Sequence, residues 1–218
     1  MRILALDAAL TRCSAGVVVD GTLRAAHQAE ARRGHAALLP ILAQNTLADS
    51  GLAATELDAI AVTIGPGSFT GIRAALSLAH GLALGANIPV IGVTVAEALA
   101  DSLPHLGSRQ LWVAIDSRRD RIFLEQGGSI ESLFLVDLPL PKFAIAVAGD
   151  AAITVAARLA ARDCNVMLTN ARLPMPRHIA MVAVARHTGR LPPRAAQPLY
   201  ADPPEARPSP AGPRPAPL

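Results

Sequence analysis

The sequence predicts an α/β fold of two lobes, each built on a mixed sheet that is flanked by helices. Two observations carry this prediction. Three short apolar runs typical of strands come first, and helices then alternate with strands. An apolar strand that ends in aspartate also occurs twice, as Ile3-Leu4-Ala5-Leu6-Asp7 and as Leu111-Trp112-Val113-Ala114-Ile115-Asp116. A repeated strand–aspartate–turn–strand unit within one chain suggests a duplicated lobe.

The first predicted lobe, residues 1–106, opens with three strands. Apolar runs predict strands at Arg2–Asp7 and Cys13–Val19, and the Asp20-Gly21 pair is a hairpin signal that makes Thr22–Ala31 the third strand. The elements that follow are helix His35–Ser50, strand Ala59–Ile64, helix Ala74–Ala86, strand Ile88–Val93 and helix Val95–Leu103. This order is that of the first lobe in the actin-like, ribonuclease-H-like (ASKHA) fold.

The second predicted lobe, residues 107–191, is smaller and repeats the strand-rich opening. Its predicted elements are strands Leu111–Asp116, Arg121–Gln126, Ser132–Leu138 and Phe143–Ala148, helix Ala151–Arg162, strand Asn165–Leu168 and a final helix Arg177–His187. Residues 192–218 hold ten prolines. This tail is therefore expected to lack regular structure, and either to be disordered or to lie over the body of the protein.

A glycine-rich turn, Gly65-Pro66-Gly67-Ser68-Phe69-Thr70-Gly71-Ile72-Arg73, joins the fourth strand to the central helix. Its glycines and proline allow a sharp bend, and Ser68 or Thr70 can cap the helix. Such a turn can cradle a phosphate, but the lysine of a P-loop and the Rossmann glycine spacing are missing. We therefore favour the alternative, in which the glycines only let the helix pack closely.

The central helix is apolar nearly all round. One face at helical spacing holds larger residues, and a second face holds the small residues Ala74, Ser77, Gly81 and Gly85. A helix that is apolar on two sides is buried on more than one side. The second face therefore packs either inside this chain or against another subunit, and the helix pattern leaves both alternatives open.

Candidates for a weak nucleotide or anion cleft lie where two strands end. Asp7 closes the first strand, but Ala8, Ala9 and Leu10 follow it in place of hydroxyl residues. A structural role for Asp7, capping the hairpin backbone, is equally open. The second lobe offers more polar groups that could bind a phosphate, namely Asp116, Ser117 and Arg118. Arg119 or Arg121 could supply further positive charge. These residues support at most weak nucleotide or magnesium binding.

No metal site and no tightly bound cofactor are predicted. The six histidines form no close pair, and His35 faces Leu39 at i+4, where a metal-binding helix would need a second histidine. Cys13 and Cys164 lack ligand spacing, so a reduced, cytoplasmic protein is expected.

Composition disfavours two classes of partner. A net charge of +3 and an aromatic content of 3% are too low to argue for autonomous nucleic-acid binding. No apolar run is long enough to cross a bilayer, and the chain begins directly with a strand, so we expect neither a membrane segment nor a signal peptide.

Several motifs occur together in this chain. The most specific is Gly65-Pro66-Gly67-Ser68-Phe69-Thr70-Gly71-Ile72-Arg73, and the others are Leu4–Asp7, His35–Ile41, Ile91–Thr94, Ala114–Arg118 and Gln197–Tyr200. This combination resembles the TsaB family of bacterial tRNA threonylcarbamoyladenosine biosynthesis proteins, over nearly the whole chain up to Tyr200.

The resemblance implies a non-catalytic paralogue of the transferase TsaD, with the same two-lobed fold. Together with TsaD and the ATPase TsaE, it would help to place a threonylcarbamoyl group on N6 of adenosine 37 in tRNAs that read ANN codons. The resemblance also implies a heterodimer with TsaD, a homodimer when the protein is alone, and contact with tRNA only through the complex. The helices implied in pairing correspond to His35–Ser50 and Phe69–Ala86.

The residues expected at this partner interface are His35, Leu38, Leu39, Leu42, Phe69, Arg73, Ala74, Ser77, Gly81 and Gly85. TsaD carries a His-x-x-x-His metal pair, and Leu39 stands at the second position here, as suits a subunit that binds rather than reacts. The family usually has threonine where Ala8 stands, which further weakens nucleotide binding. The alternative function is an actin-fold ATP-binding enzyme or a metalloprotease-like hydrolase, and it requires tight binding of Mg-ATP or zinc.

Overall fold

The computed structural model describes residues 1–30, 34–118 and 120–201 of the chain. Ala31, Arg119 and residues 202–218 of the predicted tail therefore lie outside the described residues. The regular elements form two lobes, each with a five-stranded mixed sheet, as the sequence predicts. Among the described residues, no helix combines the length and the apolar character that crossing a membrane requires.

The first sheet is made of β1 (Arg2–Asp7), β2 (Arg12–Val19), β3 (Thr22–Glu30), β4 (Ala59–Thr63) and β5 (Val90–Val93). Its strand order is β3-β2-β1-β4-β5, with β1 antiparallel to β2 and parallel to β4. The hairpin predicted between β2 and β3 is present. Asp20 and Gly21 both have positive φ, at 50° and 78°, which explains this residue pair in a two-residue turn.

Three helices follow the strands of this lobe, α1 (His35–Ser50), α2 (Phe69–Ala86) and α3 (Val95–Asp101). Side chains of β1 alternate between the two faces of the sheet. Leu4 and Leu6 lie in the same apolar cluster as the buried residues of α1 and α2, while Ile3 and Ala5 belong to a second cluster on the opposite face. The sheet is therefore buried on both sides.

The second sheet is made of β6 (Gln110–Asp116), β7 (Arg121–Gln126), β8 (Ser129–Phe134), β9 (Ile145–Ala148) and β10 (Val166–Leu168). Its order is β10-β9-β6-β7-β8, and α4 (Ala152–Ala160) packs on it. Both sheets thus have an antiparallel hairpin on one side of the central strand and parallel strands on the other. This shared topology is what the repeated strand–aspartate unit predicts.

The predicted strand Ser132–Leu138 is wrong in its position. Gly127 and Gly128 have φ values of 58° and 84° and turn the chain between β7 and β8. The third strand of the lobe therefore begins at Ser129, and Leu135–Asp137 is a turn of 3₁₀ helix. A Gly-Gly pair between two apolar runs is itself a hairpin signal.

The last helix, α5 (Pro176–His187), returns to the first lobe. Its buried residues Ile179, Ala180 and Ala183 lie in one cluster with Ile3, Ala5 and other residues of the first sheet. The sequence division placed this helix in the range 107–191, together with the second lobe, whereas the helix packs on the first sheet. The C-terminal helix supplies the layer that covers the second face of the first sheet.

Residues 192–201, which we call the C-terminal strap, contain neither helix nor strand but lie along the first lobe. The amide of Leu199 donates a hydrogen bond to the carbonyl of Ile64 at 2.8 Å. Ala196, Leu199 and Ala201 pack against the core that α1 and α2 share. The sequence left two alternatives for the tail, disorder or packing over the body of the protein. The described part of the tail shows the second.

Candidate partner-binding surface and inter-lobe cleft

The glycine-rich turn holds the start of α2 against the turn that follows β1. The amide of Ser68 donates to the carbonyl of Ala9 at 2.7 Å, and the Ser68 hydroxyl accepts from the amide of Gly71 at 3.2 Å. A side chain at Gly67 would collide with the carbonyl of Ala9, and one at Gly71 would collide with the carbonyl of Ala8. The glycines thus permit close packing of backbone on backbone, as the sequence predicts, whereas phosphate binding by this turn stays untested.

Helix α2 buries one face and exposes another. Its larger apolar residues face the core, whereas the opposite side carries a band that we call the α2 stripe, made of Ala74, Ser77, Gly81, Leu84 and Gly85. Within the described residues, a Cβ added at Gly81 or Gly85 would meet nothing within 4 Å. The side chain of Leu84 is 85% exposed. Apart from half-buried Ala74, the second face of the helix is therefore not covered by the described part of this chain.

Helix α1 lies beside α2, but not every residue expected at the interface is accessible there. His35 and Leu39 are buried, since both face the core. An added Cβ at Gly71 would stand 2.7 Å from His35 Nδ1, which places the imidazole against the start of α2. His35 and Leu39 therefore cannot touch a partner in this conformation, and that expectation is wrong for both.

The exposed part of α1 differs from the prediction in a second way. Leu38 and Leu42 are half-buried, and Ile41 is 54% exposed. Neither Ile41 nor Leu84 is among the residues that the sequence analysis expects at the interface. Both residues are large apolar side chains on neighbouring helices that point to solvent, and an apolar residue outside the core face of a helix is the signal that could have found them.

An aromatic and arginine cluster stands at the N-terminal end of α2. The rings of Phe69 and Tyr200 are stacked, with centroids 5.4 Å apart. The guanidinium carbon of Arg73 lies 3.7 Å from the centroid of Phe69, and Arg73 Nε donates to the Tyr200 hydroxyl at 2.8 Å. Phe69 and Arg73, both expected at the interface, are exposed here and share their contacts with the C-terminal strap.

Asp7 is not presented to a cleft. Its side chain is 1% exposed, and Oδ1 accepts from the Thr63 hydroxyl at 2.5 Å and from the Ala9 amide at 3.0 Å. Burial raises the pKa of the Asp7 carboxyl. Ala8, Ala9 and Leu10 are buried as well, because no hydroxyl group draws this turn toward solvent. The capping contact proposed for Asp7 is therefore present, and its place in a nucleotide cleft stays a prediction.

The second predicted phosphate turn uses its polar groups internally. Asp116 Oδ1 accepts from the Arg118 amide at 2.8 Å, and the Ser117 hydroxyl donates to the Arg121 carbonyl at 2.7 Å. Arg118 also crosses to the first lobe, where Nη2 donates to the Leu10 carbonyl at 3.3 Å. Arg119 lies outside the described residues.

A second carboxylate stands at the same turn. Asp150 Oδ1 accepts from the Asp116 amide at 2.9 Å, and burial raises the pKa of Asp150. The positive charge of Arg118 lowers the pKa of Asp150, but the effect of burial is larger. Within the described ranges, no three metal-ligating side chains are grouped so that they could hold an ion.

Comparison with known proteins places this geometry in a family. A family model described as "TsaD: tRNA N6-adenosine threonylcarbamoyltransferase" matches residues 26–182, which is well over half of the chain. The chain belongs to the TsaD family. The relatives of this family member include the tRNA threonylcarbamoyladenosine biosynthesis protein TsaB of Escherichia coli (strain K12), which is 39% identical over 124 residues.

The match to that relative covers 56% of this chain and 53% of the relative, so the chain spans about half the length of the curated protein. A structure from Pseudomonas aeruginosa, of an uncharacterized protein with similarity to the peptidase YEAZ, covers more. It superimposes with a TM-score of 0.76 and 26% identity over 92% of this chain and 99% of that one. The resemblance to TsaB drawn from the motifs is confirmed.

A more distant neighbour shares the fold alone. The activator of 2-hydroxyisocaproyl-CoA dehydratase from Clostridium difficile, with bound ADPNP, aligns over 87% of this family member and 97% of its own chain. The TM-score is 0.50 and the identity is 8%. The two-lobed ASKHA architecture predicted from the order of elements is thereby confirmed.

Proposed function

We propose that this chain is the non-catalytic docking subunit of a complex that forms N6-threonylcarbamoyladenosine at position 37 of tRNAs that read ANN codons. In this complex it supports a TsaD-like transferase and works with a TsaE-like ATPase. The observation that carries the proposal is the α2 stripe, an exposed helix face of small residues with one protruding leucine, in a chain of this family.

The chemistry of the α2 stripe suits a partner helix. Because Ala74, Ser77 and Gly81 are small, a second helix can approach closely, and Leu84 then enters the space above the short residues of its neighbour. Burial of one leucine side chain contributes about 2 kcal/mol. The same patch on a second copy forms a two-fold contact, so the free protein pairs with itself when the transferase is absent.

Three features support a binding role over a catalytic one. Asp7 is buried beneath an apolar turn, and Asp116 and Ser117 are hydrogen-bonded within their own turn. Leu39 fills a core position where a metal pair would need histidine. Transfer of the threonylcarbamoyl group is accordingly assigned to the transferase subunit, and tRNA reaches this chain only through the complex.

The docking surface is tested by charge insertion with a matched control. Leu84→Arg places a cation in the α2 stripe, and Ile153→Arg places one on α4, where Ile153 is 59% exposed in the second lobe. We expect Leu84→Arg to weaken binding to the TsaD-like subunit by at least about a hundredfold, because an unpaired charge is then buried. Ile153→Arg should bind as wild type. Equal affinity of both variants, measured by calorimetry, would contradict the proposal.

The enzyme alternative is tested with the isolated protein. We propose that the cleft holds neither magnesium nor nucleotide tightly, so titration with Mg-ATP and separately with zinc should give no heat of saturable micromolar binding. Tight binding of either ligand would instead favour an ATP-binding or metalloprotease-like enzyme. A gel shift with tRNA should likewise require the transferase subunit.

A further inference from the structure

The C-terminal strap runs antiparallel to α2 along its exposed side. His80 Nε2 donates to the Ala196 carbonyl at 3.0 Å, and four residues later along the strap Tyr200 contacts Arg73. Arg73 and His80 are seven residues apart, so they lie on one side of the helix two turns apart. The strap therefore follows α2 for about two turns.

The α2 stripe begins next to the strap. Ser77 is four residues after Arg73, and Leu84 is four residues after His80, so these two stripe residues are helical neighbours of the residues that hold the strap. On the other side of the stripe, α1 packs against α2 through His35 and Gly71. The exposed stripe is thus bordered by α1 on one side and by the strap on the other.

The strap is fixed at both ends. Arg186 Nε donates to the Pro192 carbonyl at 2.8 Å, while Nη1 and Nη2 of the same side chain donate to the Gly92 carbonyl and to Glu97. At the other end, the Leu199 amide bonds to Ile64 and the Tyr200 ring stacks on Phe69. The strap is consequently an ordered part of the first lobe.

Tyr200 determines how Arg73 is presented. The guanidinium lies over the Phe69 ring, and its Nε is engaged by the Tyr200 hydroxyl. In the described part of the chain, no carboxylate pairs with Arg73, and neither of its Nη atoms makes a hydrogen bond there. A guanidinium that is fixed by a hydrogen bond at Nε and by a ring against one side of its plane can still donate two parallel hydrogen bonds from its Nη groups to a carboxylate.

Resting on the function proposed above, we propose that the C-terminal strap is part of the docking surface and that Tyr200 is a positioning residue for Arg73. The occupant is a helix of the TsaD-like subunit that carries a carboxylate opposite Arg73 and small residues opposite Leu84. Arginine and tyrosine are enriched among the residues that dominate binding energy. A pre-oriented arginine also loses less side-chain entropy when it pairs, which favours tight association.

A double-mutant cycle tests this role on the full chain with the TsaD-like subunit. Tyr200→Phe keeps the ring on Phe69 but removes the hydroxyl, and we expect its affinity to fall about fivefold. Arg73→Ala should lose more, and adding Tyr200→Phe to Arg73→Ala should cost nothing further, because the hydroxyl acts through Arg73. The loss in Tyr200→Phe should shrink at high salt, since it reports a charge pair.

The control for the strap compares the full chain with a chain that ends at Ala201. A chain that ends at Ala201 keeps every described strap contact and should bind as wild type, whereas Tyr200→Ala should bind at least about tenfold more weakly. Thermal melting of each variant reports folding. If Tyr200→Ala has a lowered melting temperature, the affinity of Tyr200→Phe tests the proposal instead, because this variant retains the ring and leaves the fold intact.

The outcomes separate this inference from the proposed function. Normal affinity of Tyr200→Phe and Tyr200→Ala, together with failure of Leu84→Arg to bind, would overturn the role of the strap and leave the docking surface in place. Additive effects of Arg73→Ala and Tyr200→Phe would overturn the positioning role of Tyr200. Normal binding by Leu84→Arg would instead remove the proposed docking surface itself.

Discussion

Replacement of Asp7 separates a structural carboxyl from a ligand-binding one. Asp7 Oδ1 accepts two hydrogen bonds, from the Thr63 hydroxyl and the Ala9 amide, and both donors are fully buried. Asp7→Ala leaves the two donors without an acceptor, at about 1–2 kcal/mol each, so we expect a loss of about 2–4 kcal/mol in the free energy of unfolding. Asp7→Asn keeps an acceptor oxygen at the same place and should stay within about 1 kcal/mol of wild type at pH 7.

The pH dependence gives a second readout for the same pair of variants. Burial raises the pKa of Asp7 in the folded protein, so the folded state retains the proton to higher pH than the unfolded chain. Wild-type stability therefore falls as pH rises from the unfolded pKa, about 3.9, through the folded pKa, and stays lower above it. Asp7→Asn lacks this titration, so its stability relative to wild type should increase across that window.

Urea denaturation followed by circular dichroism at several pH values between 4 and 8 measures both effects. The reasoning is refuted if Asp7→Asn loses as much stability as Asp7→Ala at pH 7, because the negative charge and not the acceptor would then matter. A stability difference between wild type and Asp7→Asn that does not change with pH would contradict the raised pKa.

Two further predictions concern packing within the first lobe. Gly71→Ala should lower the free energy of unfolding by at least about 3 kcal/mol, because its Cβ would meet the backbone of Ala8. Gly81→Ala faces open space and should stabilise α2 by about 0.5–1 kcal/mol. Urea midpoints compare the two variants directly, and equal effects would disprove the close approach at Gly71. Arg186→Ala should cost about 2–3 kcal/mol, because it removes a buried side chain that donates to the Gly92 carbonyl, to Glu97 and to the strap, while Glu97 keeps Arg194 as a partner. A melting temperature within a degree of wild type would show that this anchor is dispensable.

The spacing of apolar residues predicted the order of elements well, because strands and helices have different periods along the sequence. The bounds of α1 and of β1 agree with the structure. Pattern could not place α5, since an apolar helix near the C-terminus fits either sheet until its contacts are known. Docking of α5 on Ile3 and Ala5 is a contact between residues more than 170 positions apart, which no window of sequence contains.

The candidate site was predicted in part for the same reason. The small face of α2 is visible in the spacing alone, and in the described part of the chain Ser77, Gly81 and Gly85 of this face are exposed. The resemblance named a helix for the interface but not which way each of its residues faces, and His35 and Leu39 turn out to be buried. Tyr200 was visible only as part of a motif, and its contact with Arg73 depends on the path of the strap.

Burial of Asp7 and exposure of one face of α2 depend on the same set of contacts. In this chain the glycine-rich turn approaches the carbonyls of Ala8 and Ala9, which closes the apolar turn over Asp7. The same approach fixes the first turn of α2 to the sheet, while Tyr200 and His80 fix its outer side to the strap. A helix held on both sides is ordered before a partner arrives, so association loses little conformational entropy. Substitutions that loosen the turn at Gly71 should therefore weaken docking at Leu84, although Gly71 itself is buried.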